Sequence, residues 1–401
     1  MCRDLDGVQG CHPKAYSTCS VSGNSHDFQG ACSYTLVTVS NSAAVNLPWF
    51  SVFAEKEHVM VGKVSTTRSI TVRVFGVSIT LEKGFPWQIQ MNGTRVNLPF
   101  SLDGGILQAS QAGMGIVVQA NFGLRVTYDL WQTVLVKVPS TYSGVIGGLC
   151  GNYNNQKDDE FALPLGGLVG SANEFGISWR MEGGKELCGD FCLQGGCPKL
   201  GDKEREELTK SDKCGLISAP NGPLAACHPV LPPAGFLENC IANSFTVGGK
   251  TEAVCLGIQA YVTACQEAGV TLKDWRSRSF CPFSCPANSH YSLCADTCHN
   301  NCMGITNPQL CSKDCSEGCE CDTGFVADGD KCVEIQDCGC EVDGMYLKSG
   351  EIIYINKCTQ KCSCSSRHNS ICEETSCPAN TQCAVRNGAL GCCPTDVTCI
   401  L

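Results

Sequence analysis

The stretch Gly148-Leu-Cys-Gly-Asn-Tyr-Asn-Asn-Gln-Lys-Asp-Asp-Glu-Phe161 follows a long run of strand-like sequence and places a cysteine beside an oxygen-rich loop. The candidate ligand side chains of this loop are Asn152, Asn154, Asp158 and Asp159. Amide and carboxylate oxygens at this density suit a hard cation such as calcium. An EF-hand is excluded, because counting from Asn152 its required Gly and Glu are replaced by Lys157 and Leu163. The alternative is a solvated turn whose Asn and Asp side chains bond only their own backbone.

The cysteine count and the net charge bound the compartment and the class of partner. The chain has 401 residues, of which 34 are cysteine, a density typical of secreted proteins whose small modules are held by disulfides. A net charge of -10 argues against nucleic acid or an anionic membrane surface as the main partner. No apolar run reaches the roughly 18 residues of a membrane span. Residues 1 to 6 lack the features of a signal peptide, so we expect a secreted fragment or a mispredicted start.

The uneven distribution of the cysteines separates a core-forming region from a disulfide-dependent one. Residues 33 to 149 contain no cysteine, whereas residues 188 to 399 contain 29. The first region must therefore be stabilised by a hydrophobic core. Apolar side chains alternate with polar ones on either side of Gly76: Ile70, Val72 and Val74, then Val77, Ile79 and Leu81. This period of two continues to Val138 and predicts a mainly β chain that begins with an antiparallel β-sandwich-like domain.

Four cysteines flank the predicted sandwich: Cys19, Cys32, Cys150 and Cys188. We expect them to form two long-loop disulfides that tie its ends together, each contributing ~2–4 kcal/mol. The sequence does not determine which cysteine pairs with which.

The region after residue 188 changes character. Residues 251 to 269 predict a helix that ends at Gly269. One face of this helix carries Val254, Ile258, Tyr261, Val262 and Cys265. Ten cysteines lie between Cys285 and Cys338, so bridges rather than a core should stabilise that segment. Residues 340 to 399 predict another cysteine-rich, strand-poor module. The sandwich is thus expected to be followed by a small helical disulfide-rich module and two small disulfide-stapled, core-poor modules.

The loop sequence GLCGNYNNQKDDEF closely resembles the hallmark loop of von Willebrand factor type D domains, usually written CGLCGNYNG followed by acidic residues. The cysteine run from Cys214 to Cys281 resembles the C8 module, and the ten-cysteine segment is similar to the trypsin-inhibitor-like module. The resemblance implies five segments: 1–19, the tail of a preceding cysteine-rich module; 20–187, a type D domain; 188–281, a C8 module; 285–338, a trypsin-inhibitor-like module; and 340–401, a cysteine-rich tail module.

The resemblance also implies calcium as the cofactor, bound by Asn152, Asn154, Asp158 and Asp159 with an aspartate from an N-terminal GDPHY…FDG motif. That motif is truncated here, because residues 22 to 32 read SGNSHDFQGAC, and one ligand is lost with it. The Asp-Pro bond at which some relatives cleave themselves is missing as well. The first cysteine of the family's CGLC is replaced by Gly147, so Cys150 is expected to be structural rather than an exchange thiol.

A second departure concerns the C8 module, in which Phe245 stands where the family has a cysteine. A cysteine left without its partner could form an interchain bond, which keeps a disulfide-linked oligomer open as an alternative. Zinc binding by clustered cysteines is less expected than disulfides in an oxidising compartment.

The trypsin-inhibitor-like segment supplies the competing functional hypothesis. Inhibitors of that family present their reactive bond between the fifth and sixth cysteines, and here that loop is Cys311-Ser-Lys-Asp-Cys315. Lys313 would then enter a trypsin-like specificity pocket. The alternative is that Lys313 is a solvated loop charge in a spacer module, since fold does not imply function.

The chain also contains an internal repeat. Cys2-Arg-Asp-Leu-Asp-Gly-Val-Gln-Gly-Cys11 and Cys383-Ala-Val-Arg-Asn-Gly-Ala-Leu-Gly-Cys392 share their cysteine and glycine spacing. This pattern indicates one period of a tandem array.

The functional prediction is a secreted structural and adhesive scaffold without a catalytic constellation. The resemblance implies extracellular partners such as mucins, immunoglobulin Fc or other D-domain proteins. The sequon Asn92-Gly93-Thr94 predicts glycosylation at Asn92.

Overall fold

A computed structural model describes the residues 3–5, 8–11, 20–21, 24–25, 32–40, 46–59, 64–131, 133–154, 159, 161–181, 200–246, 248–296, 299–303, 316–365 and 369–395. The chain divides into two compact units. Unit 1 comprises residues 1–76 and 119–283, and unit 2 comprises residues 77–118 and 284–401.

The strands of the first half are β1 (Arg3–Leu5), β2 (Val8–Cys11), β3 (Ser20–Val21), β4 (Asn24–Ser25), β5 (Ser33–Val39), β6 (Phe50–Val59), β7 (Val64–Val74), β8 (Val77–Glu82), β9 (Gln88–Met91), β10 (Thr94–Asn97), β11 (Phe100–Leu102), β12 (Leu107–Ala112), β13 (Gly115–Ala120), β14 (Arg125–Tyr128), β15 (Val134–Pro139) and β16 (Ile146–Gly147).

The helices are α1 (Ala172–Ser178), α2 (Asp202–Leu208), α3 (Ala234–Thr246) and α4 (Thr251–Glu267). The strands that follow them are β17 (Ser289–Ala295), β18 (Ser316–Cys321), β19 (Phe325–Asp328), β20 (Lys331–Glu334), β21 (Cys340–Val342), β22 (Met345–Leu347), β23 (Ile352–Ile355), β24 (Gln360–Ser365), β25 (Asn369–Glu374), β26 (Thr381–Arg386) and β27 (Ala389–Pro394). The mainly β fold class is confirmed.

Unit 1 contains two antiparallel sheets that share a core. One has the order β16-β5-β6-β7, and the other contains β1-β2-β15-β14. Alternating side chains of β7 are buried, including Ile70 and Val72, and Val126 of β14 is buried as well. The Tyr128 hydroxyl donates to the Thr67 carbonyl oxygen at 3.0 Å, so a hydrogen bond also joins the two sheets. The period-two pattern thus predicted the strands correctly.

The helical part of unit 1 follows the sequence expectation closely. Helix α4 covers the predicted segment, and its five predicted face residues are buried. Gly269 has a φ of 75°, a conformation that glycine adopts without strain and that ends the helix. Gly257 lets α3 and α4 approach closely, since a Cβ there would lie 2.7 Å from the Cys240 Sγ. Three disulfides staple this module: Cys214–Cys240, Cys227–Cys265 and Cys255–Cys281.

Unit 2 combines early strands with the C-terminal modules. Strands β8, β9 and β10 continue into β22 and β21, so one sheet contains residues separated by more than two hundred positions. The Asn97 amide anchors this junction by donating to the Tyr346 carbonyl oxygen at 3.1 Å and to the Glu351 carboxylate at 2.7 Å. The tail modules therefore share a sheet with strands of the D segment.

The expectation that residues 340 to 399 would be strand-poor is wrong. This segment contains β21 to β27, arranged in short antiparallel sheets. Its strands lack an apolar period of two because cross-strand bridges replace part of the core. Cys362 and Cys372 face each other in neighbouring strands and are joined by a disulfide. The small core around them consists partly of cysteine: Cys340, Val342, Leu347, Ile355, Cys362 and Cys364.

Candidate functional site

The hallmark loop is fixed to the edge of the first sheet by backbone geometry. The Leu149 and Cys150 N–H groups donate to carbonyl oxygens of β5, each at 3.0 Å. Gly148 makes this approach possible, since it has a φ of 136° and a Cβ there would lie 2.3 Å from the Leu36 carbonyl oxygen. An L-residue at this position would collide with backbone that cannot move aside. Gly148 is therefore a steric requirement for docking the loop against β5.

Further hydrogen bonds hold both sides of the loop. The Gly144 N–H donates to the Asn152 carbonyl oxygen at 2.9 Å, and the Ser143 hydroxyl donates to the Tyr153 carbonyl oxygen at 2.7 Å. Beyond the loop, the Trp179 indole N–H donates to the Ala162 carbonyl oxygen at 3.1 Å. The side chains that could bind a ligand thus extend from a well-anchored backbone.

Three of the four predicted calcium ligands lie together. The amide groups of Asn152 and Asn154 both donate to Oδ2 of Asp159, at 3.0 and 2.6 Å. Oδ1 of Asp159 is buried and has no hydrogen-bond partner among the described residues. The Asn154 N–H also donates to Oδ1 of Asn152 at 3.2 Å, which is the Asx turn of the alternative interpretation. Asp158 lies outside the described residues.

The donor set of this cluster fits calcium. Rotating each asparagine amide by half a turn exchanges its NH₂ group for its carbonyl oxygen without moving the backbone, and for Asn152 this rotation also breaks the Asx-turn bond from the Asn154 N–H. Asn152, Asn154 and Asp159 would then direct oxygen atoms at one point, which is the chemistry that calcium prefers. The buried Oδ1 of Asp159 accepts from none of the described residues, so a cation would satisfy an acceptor that is costly to leave unpaired.

The structure describes two of the four cysteines that are predicted to form the flanking disulfides. Cys32 is disulfide-bonded and buried, and Cys150 is a buried residue of the hallmark loop. Cys19 and Cys188 lie outside the described residues, so the pairing of the four cysteines stays a prediction. Lys313 also lies outside the described residues.

Asn92 occupies an exposed turn between β9 and β10. Its φ of 49° and that of Gly93, 86°, form a tight hairpin turn of the Asn-Gly type. The Asn92 Oδ1 accepts from the Ser78 N–H at 2.9 Å. This placement is accessible to a glycan, and the glycosylation itself stays a prediction.

One charged cluster was not predicted from the sequence. Glu267, the last residue of α4, is almost fully buried and forms ion pairs with Arg125 of β14 and Lys137 of β15, each at 2.7 Å. The Arg125 guanidinium contacts both carboxylate oxygens of Glu267. Burial alone would raise the pKa of Glu267, but the two cations outweigh it and hold this pKa below its ordinary value. The three residues, here called the Glu267 cluster, fasten the C8 helix to the second sheet.

Clustered cysteine sulfurs are used in bridges rather than as thiolate ligands. Sulfur atoms of Cys358, Cys377 and Cys392 lie within 4.8 Å of one another, but each belongs to a disulfide. Ten disulfides join described cysteines, which is typical of an extracellular compartment. Within the described ranges, no helix is long and apolar enough to cross a membrane.

Comparison with known proteins supports the domain types inferred above. Four family models match in succession: the von Willebrand factor type D domain at residues 19–167, the C8 domain at 213–282, the trypsin inhibitor like cysteine rich domain at 285–338, and the TILa domain at 339–393.

Three kinds of curated relative are similar to this chain over nearly the whole of its own length. IgGFc-binding protein of Homo sapiens is 39% identical, with 98% of this chain and 8% of the relative covered. Alpha-tectorin of Homo sapiens is 34% identical, with 99% and 19% covered, and zonadhesin of Homo sapiens is 35% identical, with 98% and 14% covered. The chain thus spans between 8% and 19% of the length of these relatives. It is an extracellular chain composed of a von Willebrand factor type D domain followed by C8, trypsin-inhibitor-like and TILa domains.

Proposed function

We propose that this chain is a structural and adhesive scaffold of the extracellular matrix or of mucus. The observation that carries the proposal is the Glu267 cluster, which joins the C8 helix to the D sheet by buried, bidentate ion pairing rather than by a loose linker. Breaking a buried ion pair is strongly unfavourable, so the two modules should move as one body. A chain built in this way presents fixed surfaces to its partners.

The candidate partners follow from the relatives. One relative is named for binding the Fc part of immunoglobulin G, which makes immunoglobulin Fc the first candidate. Mucins and other D-domain proteins are the further candidates, because they share the extracellular compartment. A disulfide-linked oligomer remains a further state of the proposed scaffold.

Binding to immobilised partners tests the adhesive function. The oxidised full chain is passed over purified immunoglobulin Fc and over purified mucin, and a reduced and alkylated sample serves as the control. We expect the oxidised chain to bind at least one of them and the reduced chain to bind neither. Equal binding by the reduced sample, or none by the oxidised sample, would contradict the adhesive function.

We further propose that calcium stabilises the hallmark loop. Asn152, Asn154 and Asp159 would hold the ion, and the supporting observation is the buried Oδ1 of Asp159, which has no hydrogen-bond partner in the described part of the chain. Bound calcium would supply positive charge to the Asp159 carboxylate and to the asparagine carbonyl oxygens turned toward it. The loop would then be pinned in one conformation beside β5.

Calorimetric titration of the full chain with calcium tests this site. We expect one binding event that disappears in Asp159→Ala and persists in Asp212→Ala, a matched removal of an exposed carboxylate in the C8 domain. Persistence of the heat signal in Asp159→Ala would place the ion elsewhere. A folded chain that gives no heat would leave the Asx turn as the description of the loop.

Protease inhibition through Lys313 is the second hypothesis and has no support from the described residues. Titrating trypsin with the full chain and with Lys313→Ala separates the two functions. The scaffold proposal predicts no inhibition by either protein, whereas stoichiometric inhibition lost in Lys313→Ala would establish the inhibitor.

A further inference from the structure

The two copies of the internal repeat form the same supersecondary structure. Strands β1 and β2 pair as a hairpin with the partners Arg3↔Gly10, Asp4↔Gln9 and Leu5↔Val8. Strands β26 and β27 pair with the partners Ala384↔Gly391, Val385↔Leu390 and Arg386↔Ala389. The repeat aligns each pair of the first hairpin with a pair of the second. The sequence repeat is thus also a repeat of strand register.

The first hairpin has a definite place in unit 1. Strand β2 adds to the edge of the second sheet beside β15, with Val136↔Cys11, Lys137↔Gly10 and Val138↔Gln9 as partners. A segment that resembles the tail of a preceding module therefore completes the sheet of the D domain.

The second hairpin has an edge suited to the same pairing. Asn387 and Gly388 both have positive φ, 51° and 81°, so they form a two-residue turn whose flanking residues, Arg386 and Ala389, are hydrogen-bonded to each other. Because antiparallel pairs alternate, the backbone N–H and C=O groups of Leu390 point away from β26. The backbone N–H and C=O groups of Cys392, two residues further along the strand, also point away from β26.

This outer edge of β27 carries no third strand among the described residues, and at its start the Gly388 carbonyl oxygen accepts from the Arg95 N–H of β10. The hairpin is nevertheless held in shape, since Cys383 and Cys392 are bridged to Cys358 and Cys377. An unpaired but preformed strand edge is a template for strand addition.

We propose that β27 is the docking strand for the β15 edge of a second copy of this chain whenever β2 of that copy leaves the edge. Leu390 would face Val138 and Cys392 would face Val136, in the register that Gln9 and Cys11 occupy within one chain. Gly391 would lie opposite Lys137, at the position that Gly10 takes in the cis pairing. In this interaction the partner of the proposed scaffold is a second copy of the chain, and the pairing does not depend on calcium.

Proline substitutions test the pairing because proline removes one backbone N–H group. Gln9→Pro removes the amide of β2 that faces β15 and should free that edge, whereas Asp4→Pro alters the opposite strand of the same hairpin and should not. We expect sedimentation velocity to show the native chain and Asp4→Pro as single copies. Gln9→Pro should form concentration-dependent head-to-tail assemblies.

A second substitution identifies the strand responsible. Adding Leu390→Pro to Gln9→Pro should restore single copies, and adding Leu390→Thr, which keeps the N–H group, should not. The proposal is overturned if Gln9→Pro sediments like the native chain, or if assemblies persist with Leu390→Pro.

A tandem chain tests the same pairing should Gln9→Pro fail to fold. In this chain, residues 383–392 of the first copy take the place of residues 2–11 of the second, and the second copy is isotopically labelled. We expect hydrogen exchange at Val136 and Val138 of the labelled copy to be slowed roughly a hundredfold or more relative to its exposed amides, as for sheet interiors. Rapid exchange at both amides would overturn the proposal.

Discussion

The D sandwich of unit 1 and the C-terminal modules of unit 2 reach stability by different routes. The sandwich buries large apolar side chains from two sheets, such as Phe50 and Tyr128, without a cysteine between residues 33 and 149. The modules after residue 285 bury few large side chains and contain many disulfides, among them Cys302–Cys338 and Cys340–Cys364. A core lowers the free energy of the folded state, whereas bridges mainly restrict the unfolded state. The two regions should therefore respond differently to the same perturbation.

Reduction should produce the largest difference between the two regions. With each disulfide contributing ~2–4 kcal/mol, loss of several bridges exceeds the stability that such small modules can hold. We expect amides of residues 316–365 to exchange freely in strong reductant, while those of β6 and β7 stay protected. Hydrogen exchange with mass spectrometry on the full chain measures both at once. Protection that survived in both regions would show that the tail core is sufficient alone.

Removing the buried charge of the Glu267 cluster should have the next largest effect. Glu267→Gln leaves Arg125 and Lys137 without a counter-ion, so we expect a loss of about 3 kcal/mol in the free energy of unfolding of unit 1. Glu238→Gln is the matched control, because Glu238 pairs with Arg205 on an exposed surface and should change little. Denaturant titration measures the free energy of unfolding of both variants. Equal losses in the two variants would refute a special role for the cluster.

Truncating a core side chain sharpens the comparison further. Ile70→Ala in the sandwich should cost about 2–5 kcal/mol, because it removes buried methyl groups and leaves a cavity. Ile352→Ala in the tail should change stability by less than about 0.5 kcal/mol, since that side chain is half exposed. Calorimetry of thermal unfolding compares the loss of stability in the two variants. A comparable loss in Ile352→Ala would mean that the tail also depends on apolar packing.

Acidification should produce the smallest and most specific effect. The pKa of Glu267 is lowered in the folded state from its ordinary value of 4.5, so its stabilisation is complete above that pH and is lost as the pH falls through the lower folded value. We expect the denaturation midpoint of unit 1 to fall between neutral pH and about pH 3, by less in Glu267→Gln than in the native chain. Identical pH profiles would exclude Glu267 as the titrating group.

Local features of the fold were predictable from the sequence because they have local causes. The period of helix α4 and its terminal Gly269 are readable within one segment, and so are the alternating strands around Gly76. The Glu267 cluster was missed because its members lie about 130 to 140 positions apart, and no single-sequence pattern marks such a pair.

The candidate site could also be predicted from the sequence only in part. The sequence identified Asn152, Asn154 and Asp159 as neighbours, and they do converge in the structure. It could not show that Oδ1 of Asp159 is buried and lacks a partner among the described residues, because burial depends on tertiary packing. The strands after residue 340 escaped detection because cysteine replaces the apolar residues that normally mark a strand.

The overlap of the tail bridges has a consequence for how the chain would behave under tension. The spans Cys340–Cys364, Cys358–Cys383 and Cys377–Cys392 interlock along the sequence, so a route through sulfur atoms bypasses most of the backbone between Cys340 and Cys392. Pulling on this segment would load covalent bonds and release little extra length. A pulled chain would therefore keep the length of this tail segment almost unchanged until a sulfur–sulfur bond is cleaved.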